Sequence, residues 1–308
     1  MIRLFPNMGR SSVTLPDGGP FCHDYGSDNA VRPTVHNYAT GIGEVGLGAL
    51  GRVTAPFGRA NDMSPYSPRL VIEDLSVERG GHIVLEDLNF EVEPETMIGV
   101  IGPSGGGKST LFQTLAGILP PCEGGIEFQG SLNGKGDVAY VSQSETMNWQ
   151  FPATVFDVVS MGRYTNGNSW LGWLGRRDKE MVRMCLNQVG MWERRSSLVT
   201  DLSGGQRQRV CIARALAQEA SVILLDEALS GVDVGAEEGI LDLLRTCCVA
   251  GRIVMLATHD LTDVMERFDK LLCINCNLHA YGSPEETFSP ELIADLYGAR
   301  SFEIQTAR

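Results

Sequence analysis

From residue 69 onward, apolar and polar positions fall into blocks that switch between two periods. Leu70–Val77 and Leu85–Val92 alternate in twos, as half-buried antiparallel strands do, with Gly80-Gly81 as the turn between them. Met97–Ile101 is a short apolar run that stops at a glycine cluster, and Lys108–Ile118 continues at helical spacing. Val138–Ser142 reads as another strand. Val155 to about Gly190 is helical and Met-rich, interrupted by a loop at Thr165–Ser169. Ser221–Asp226 then predicts a buried strand, Ala236–Cys248 a helix, Ile253–Ala257 a strand, Leu261–Phe268 a helix and Leu271–Ile274 a strand. Strands alternating with helices predict a mostly parallel sheet covered on both faces, an α/β fold.

The first 68 residues have a different texture. They hold 10 of the 36 Gly and 7 of the 14 Pro, with no sustained apolar periodicity. Such a segment buries too little apolar surface to offset its ordering entropy, so a disordered or loosely attached arm is expected over 1–68. A start of translation at Met63 is the other reading of this stretch. No basic start followed by an apolar run marks a secretory signal, and Asp17, Asp24, Asp28 and Glu44 disfavour a transit peptide.

Charge and cysteine content narrow the function classes. The chain of 308 residues is 43% apolar and carries a formal charge of −13. That sign opposes broad binding to nucleic acid or anionic lipid. No stretch reaches the roughly 18 consecutive apolar residues of a membrane-spanning helix. Eight cysteines are too sparse for a disulfide scaffold and read as reduced thiols.

Gly102-Pro103-Ser104-Gly105-Gly106-Gly107-Lys108-Ser109-Thr110 fits the phosphate-loop pattern, directly after an apolar strand and opening a helix. Glycines let the backbone turn its N–H groups onto phosphate oxygens, and the helix N-terminus adds partial positive charge. Lys108 is expected to neutralise the β- and γ-phosphates of ATP, Ser109 to ligate Mg²⁺ and Thr110 to extend the cradle. Val222–Asp226 is an apolar strand ending in a carboxylate, with Glu227 next in the chain. Asp226 is placed to hold Mg²⁺, and Glu227 to orient the attacking water as a catalytic base. No guanine-reading N/T-K-x-D sequence follows, which disfavours a GTPase.

Leu202-Ser203-Gly204-Gly205-Gln206 precedes a helix at Arg207–Gln218, and with the two motifs above it resembles the signature of ABC-type ATPases. Two glycines and a serine at a helix N-terminus can donate to a γ-phosphate. The resemblance covers about residues 69–298. It implies a P-loop NTPase fold: a RecA-like core (69–142 and 208–285) with an antiparallel β subdomain, and an inserted helical signature subdomain (143–207). Residues 299–308 form a tail. It further implies that Gln143 joins the catalytic and Mg²⁺ site, that His259 contacts the γ-phosphate, and that Asp233 lies in a loop crossing a dimer interface. Ser203, Gly204, Gly205 and Gln206 would then serve the ATP of a second, head-to-tail subunit.

Asn148–Arg163 and Ala280–Glu286 resemble the ATPase subunits of manganese, zinc and iron importers. That branch implies integral membrane permease subunits, an extracytoplasmic metal-binding protein and a peripheral place on the cytoplasmic face of the membrane. Trp149, Phe151 and Met161 are expected either to line a docking groove for the membrane subunit or to pack inside the helical subdomain. The family's adenine-stacking aromatic is absent near Val77–His82, where Arg79 is the planar candidate. A non-transport ABC ATPase and a subunit serving another substrate are the alternative functions. Cys273-x-x-Cys276 with His279 is a lone pair, more consistent with a structural role than with a metal site.

Overall fold

The computed structural model describes residues 68–129, 138–142, 149–164, 174–261 and 263–297. The arm (except Pro68), the loop at Thr165–Ser169, Gln143 and the tail lie outside them.

Two alternating segments form the hairpin β1 (Arg69–Arg79) and β2 (His82–Val92). Gly80 and Gly81 have φ of 62° and 81°, the pair of left-handed residues a tight two-residue hairpin turn needs. β4 (Glu123–Gln129) joins the other edge of β1, giving an antiparallel sheet of order β2-β1-β4. The sequence pattern does not announce β4, because Gly124-Gly125 interrupts it. Gly124 has φ of 71° where the β1–β4 register shifts between Glu73 and Ser76, so the strand is built around a bulge.

The second sheet has order β5-β6-β7-β3-β8-β9. β3 (Met97–Ile101), β6 (Val222–Asp226) and β7 (Ile253–Ala257) are buried at every position. Strands covered on both faces need continuous apolar runs, and these three run parallel in the middle of the sheet. β5 (Val138–Val141) pairs parallel with β6. β8 (Lys270–Asn275) is parallel to β3, and β9 (Asn277–Gly282) returns antiparallel along β8.

Alternate side chains of these strands enter two different cores. Ile98, Val100, Val222 and Leu224 pack with Leu111, Phe112 and Leu115 of α1 (Lys108–Leu115) and with the β1–β2 hairpin. Ile101, Ala139, Ile223, Leu225 and Val254 pack on the other face with α2 (Val155–Tyr164), α3 (Arg176–Gln188), α4 (Gly204–Ala217) and α5 (Val234–Val249). The helical run expected to Ile118 stops at Leu115, where Gly117 takes φ of 71° as a left-handed terminator. The helix expected over Leu261–Phe268 shrinks to α6 (Val264–Arg267), begun by Asp263 in the left-handed region. The short α7 (Pro284–Thr287) and α8 (Pro290–Tyr297) close the described chain.

The helices of this layer are tied to one another by a buried arginine. Arg163 at the end of α2 is 5% exposed. It donates to Asp178 of α3 at 3.0 Å, to the Ala217 carbonyl at the end of α4 at 2.6 Å, and to Glu219 at 2.6 Å. Close packing supports the same joint, since a Cβ at Gly162 would overlap the Arg214 carbonyl of α4. Removing the cation would strand two partly buried carboxylates and a helix-end carbonyl. Arg163→Met should therefore lower unfolding free energy by about 2–4 kcal/mol in urea titrations; a change under about 0.5 kcal/mol would show that this joint is not needed.

Candidate nucleotide-binding site

Sheet order assembles the site before any side chain is considered. β6, β7 and β3 are adjacent and parallel, so the loops that follow them leave the same carboxyl edge. These loops carry Gly102–Gly107, Glu227 and Thr258-His259. A crevice outside the carboxyl ends of parallel strands is where such folds bind ligands.

The glycine loop is held in a defined shape by backbone hydrogen bonds. The Gly106 N–H donates to the Pro103 carbonyl at 3.0 Å. The Gly106 carbonyl in turn accepts from the Cys276 N–H at 3.0 Å, and the Cys276 carbonyl accepts from Glu86 at 2.9 Å. Cys276 sits at φ of 62° in the β8–β9 turn, so its backbone, rather than its thiol, fastens the loop to the sheet. Two positions admit only glycine. A Cβ at Gly102 would overlap the Ile274 carbonyl oxygen, and one at Gly107, which starts α1 with φ of 97°, would overlap Leu85. Ser104 and Gly105 face outward, leaving the loop's tip accessible.

Lys108 is 6% exposed and folds back over the loop. Its Nζ donates to the Gly102 carbonyl at 2.7 Å and the Pro103 carbonyl at 3.1 Å. Burial pushes its pKa down, opposed by the charges of Glu227 and Asp226. A desolvated ammonium with only carbonyl partners has a strong demand for anionic oxygen. Thr110 is buried in α1, and its carbonyl accepts from Thr114.

Asp226 ends β6 at 3% exposure. Burial raises its pKa, while hydrogen bonds from Ser109 and Tyr140 pull it back. The Tyr140 hydroxyl donates to Oδ2 at 3.1 Å. Oδ1 is buried with no hydrogen-bond partner of full geometry. A buried, underused carboxylate oxygen beside a serine hydroxyl is the all-oxygen donor set that suits a hard divalent cation such as Mg²⁺. Glu227 follows in the left-handed region, φ 50°, with its N–H donating to Ala257 at 3.2 Å. That unusual backbone turns the chain sharply, leaving Glu227 half-buried after the fully buried strand. His259 is exposed in the turn after β7, where Thr258 Oγ1 accepts from the Asp260 N–H at 3.0 Å.

The signature segment is built as a helix cap. Ser203 Oγ accepts from the Gln206 N–H at 3.4 Å, and Gln206 Oε1 accepts from the Ser203 N–H at 3.1 Å. Ser203 and Gly204 are exposed at the tip. Because Ser203 uses only its lone pair in the cap, its hydroxyl proton remains available to an incoming oxyanion. Gly205 is constrained, since a Cβ there would sit 2.9 Å from the Gly231 carbonyl. Asp233 caps α5 by accepting from the Ala236 N–H at 3.0 Å.

Other expected residues separate by exposure. Phe151 and Met161 are 60% and 42% exposed, whereas Trp149 packs against the core beneath the Arg207 guanidinium. Arg79 is exposed beside the β1–β2 turn. Cys273 is buried in β8, and His279 Nδ1 lies 3.2 Å from Asp295. Among the described residues no group of three His, Cys, Asp or Glu could hold a metal ion. Tyr140 and the Cys276 backbone are site components that sequence patterns did not reveal.

Fold and loop together define a P-loop NTPase. Residues 85–230 match the ABC transporter family model. The manganese transport system ATP-binding protein of Halalkalibacterium halodurans is 39% identical over 75% of this chain and 92% of its own length. The zinc transport system ATP-binding protein of Treponema pallidum is 38% identical over 78% of this chain and 90% of its own length. A solved inward-facing metal-chelate type ABC transporter superposes with a TM-score of 0.65 at 29% identity, covering 74% of this chain and 88% of its own. This chain belongs to the ABC transporter family, among its ATP-binding subunits.

The buried ammonium gives a direct test. A lowered lysine pKa means the unfolded chain holds the proton more tightly, so the charge does not stabilise the fold by itself. Lys108→Met should weaken ATP binding by about tenfold to a hundredfold while leaving the melting temperature unchanged or higher, by calorimetry. Unaltered ATP affinity would place the phosphates elsewhere.

Proposed function

We propose that this chain binds and hydrolyses ATP to drive a membrane importer for a divalent metal ion: manganese, zinc or iron. The observation that carries the chemistry is the convergence of the Gly102–Thr110 loop, Asp226-Glu227 and His259 on one sheet edge. The metal is argued from the transport systems to which the similar subunits belong.

The loop N–H groups and Lys108 would bind the triphosphate and fix its γ-phosphorus. Ser109 and Asp226, together with Gln143, would hold Mg²⁺, which when bound screens the phosphate charge. Glu227 would accept the proton of the attacking water as the Pγ–O bond to the leaving ADP breaks, and His259 would contact the γ-phosphate. Two such subunits would meet head to tail, each offering Ser203 and Gly205 to the ATP bound by the other. Loss of the γ-phosphate removes those contacts, so hydrolysis would reopen the pair.

In this reading the subunit is peripheral on the cytoplasmic face and works on integral permease subunits. The permease would draw on an extracytoplasmic metal-binding protein, and nucleic acid would have no part. The exposed Phe151 and Met161 favour the docking role over internal packing for those two side chains.

Glu227→Gln keeps the shape of the residue and removes the base. It should retain ATP binding, accumulate a dimer on size exclusion with ATP, and lose about 10²–10⁴ in turnover. Hydrolysis at the normal rate would put the base elsewhere. For the transport role, co-purification of a polytopic membrane subunit supports the proposal, and a ribosome or DNA partner in its place would refute it.

A further inference from the structure

Strand geometry brings one phenol to the acidic end of β6. In β5, Val138 and Tyr140 face the α1 side of the sheet, and Ala139 and Val141 face the other side. In β6, Val222 and Leu224 face the α1 side, and the period of two carries Asp226 onto the same face. Tyr140 lies opposite Leu224 in the parallel register. Asp226 is therefore its diagonal neighbour, a separation that an aromatic side chain can bridge. Bridging is what the structure shows, with the hydroxyl 3.1 Å from Oδ2. The Gln113 side chain of α1 is a second polar neighbour of the phenol. Gln113 and Ser109 are on the same helix, four residues apart in sequence.

These contacts do more than fill space. Phenylalanine would supply the same apolar ring, and a half-buried hydroxyl costs desolvation free energy unless it is bonded. Here it is bonded to the strand that carries Asp226, with Gln113, on the helix that carries Ser109, as its other polar neighbour. With Oδ2 held by the phenol, the buried carboxylate is restrained and presents Oδ1 on the side of Ser109. The oxygen left over, Oδ1, is the buried one without a partner of full geometry.

We propose that Tyr140 is a positioning residue for the divalent cation: by holding Asp226 Oδ2 it orients Oδ1 toward the metal position beside Ser109. The proposal rests on reading Ser109 and Asp226 as Mg²⁺ ligands. Partners that orient a ligand from behind commonly alter metal affinity by about 10–100-fold when removed. Tyr140→Phe deletes only the hydroxyl.

The test measures binding of a non-hydrolysable ATP analogue to full-length wild type and Tyr140→Phe, in EDTA and across a Mg²⁺ titration, with melting temperature as a folding control. The expected result is equal analogue affinity in EDTA, a melting temperature lowered by no more than about 5 °C, and a Mg²⁺ concentration at half-effect raised about tenfold in the variant. Mn²⁺ in place of Mg²⁺, followed by its paramagnetic resonance signal, should show the same weakening without any reading of turnover. Equal Mg²⁺ dependence in both proteins would overturn the role of Tyr140 alone. Affinity lost by the same factor with and without metal would reduce Tyr140 to a scaffold residue and overturn it too. A wild type indifferent to Mg²⁺ would overturn the metal reading of the site and this proposal with it.

Discussion

A lysine ammonium buried against two carbonyls of its own loop sets the terms for everything around it. Lys108 gives up water for the Gly102 and Pro103 carbonyls, and no carboxylate bonds it directly. Such an arrangement is stable only if the loop cannot collapse or drift. The fastening is correspondingly strict: the Gly106 carbonyl is tied to the β8–β9 turn, which is tied to β2. Gly102 and Gly107 sit where a single added carbon would strike neighbouring atoms. The fold itself thus fixes the loop in a shape suited to a chain of phosphates. Phosphate oxygens would add direct anionic partners to an ammonium that otherwise donates only to carbonyls.

The same economy of placement governs the acidic side of the site. A parallel sheet of order β5-β6-β7-β3 sends three loops to one edge, so no long-range folding of side chains is needed to gather them. Asp226 is buried at the end of its strand and Glu227 is released from it by a left-handed turn. The two neighbouring carboxylates thereby face different surroundings, one suited to holding a cation and one to handling a proton. Farther out, Arg163 links α2, α3 and the end of α4, whose other end displays Ser203. The signature tip and the strand bearing Asp226 are therefore joined through a short, hydrogen-bonded connection rather than a loose linker.

Much of this was legible in the sequence because local chemistry and global fold agree. Continuous apolar runs specify the central strands, and the phosphate-loop pattern lies between a strand and a helix, where its glycines have work to do. The helix expected at Arg207–Gln218 begins three residues earlier, at Gly204, because the Ser203/Gln206 pair caps it. What escaped notice depends on pairing across distance. β4 is broken up by a glycine that a bulge requires, and β9 is defined only by its partner. Tyr140 became a site residue through the register between β5 and β6, which no local pattern encodes. Cys276 contributes through a backbone N–H presented at φ of 62° rather than through the thiol that its spacing from Cys273 makes conspicuous in the sequence. Asp233 also caps a helix, a role visible only once α5 has a defined beginning.

If the loop is a preformed receptor for a phosphate chain, affinity should reside in the phosphates and not in the base. The most direct measurement is competition against a fluorescent ATP analogue by inorganic tripolyphosphate and by adenosine, each titrated with the full-length protein. Displacement by tripolyphosphate with little by adenosine is the result this account predicts. Displacement by adenosine while tripolyphosphate has no effect would contradict it, because the nucleotide would then be held by something other than the loop around Lys108.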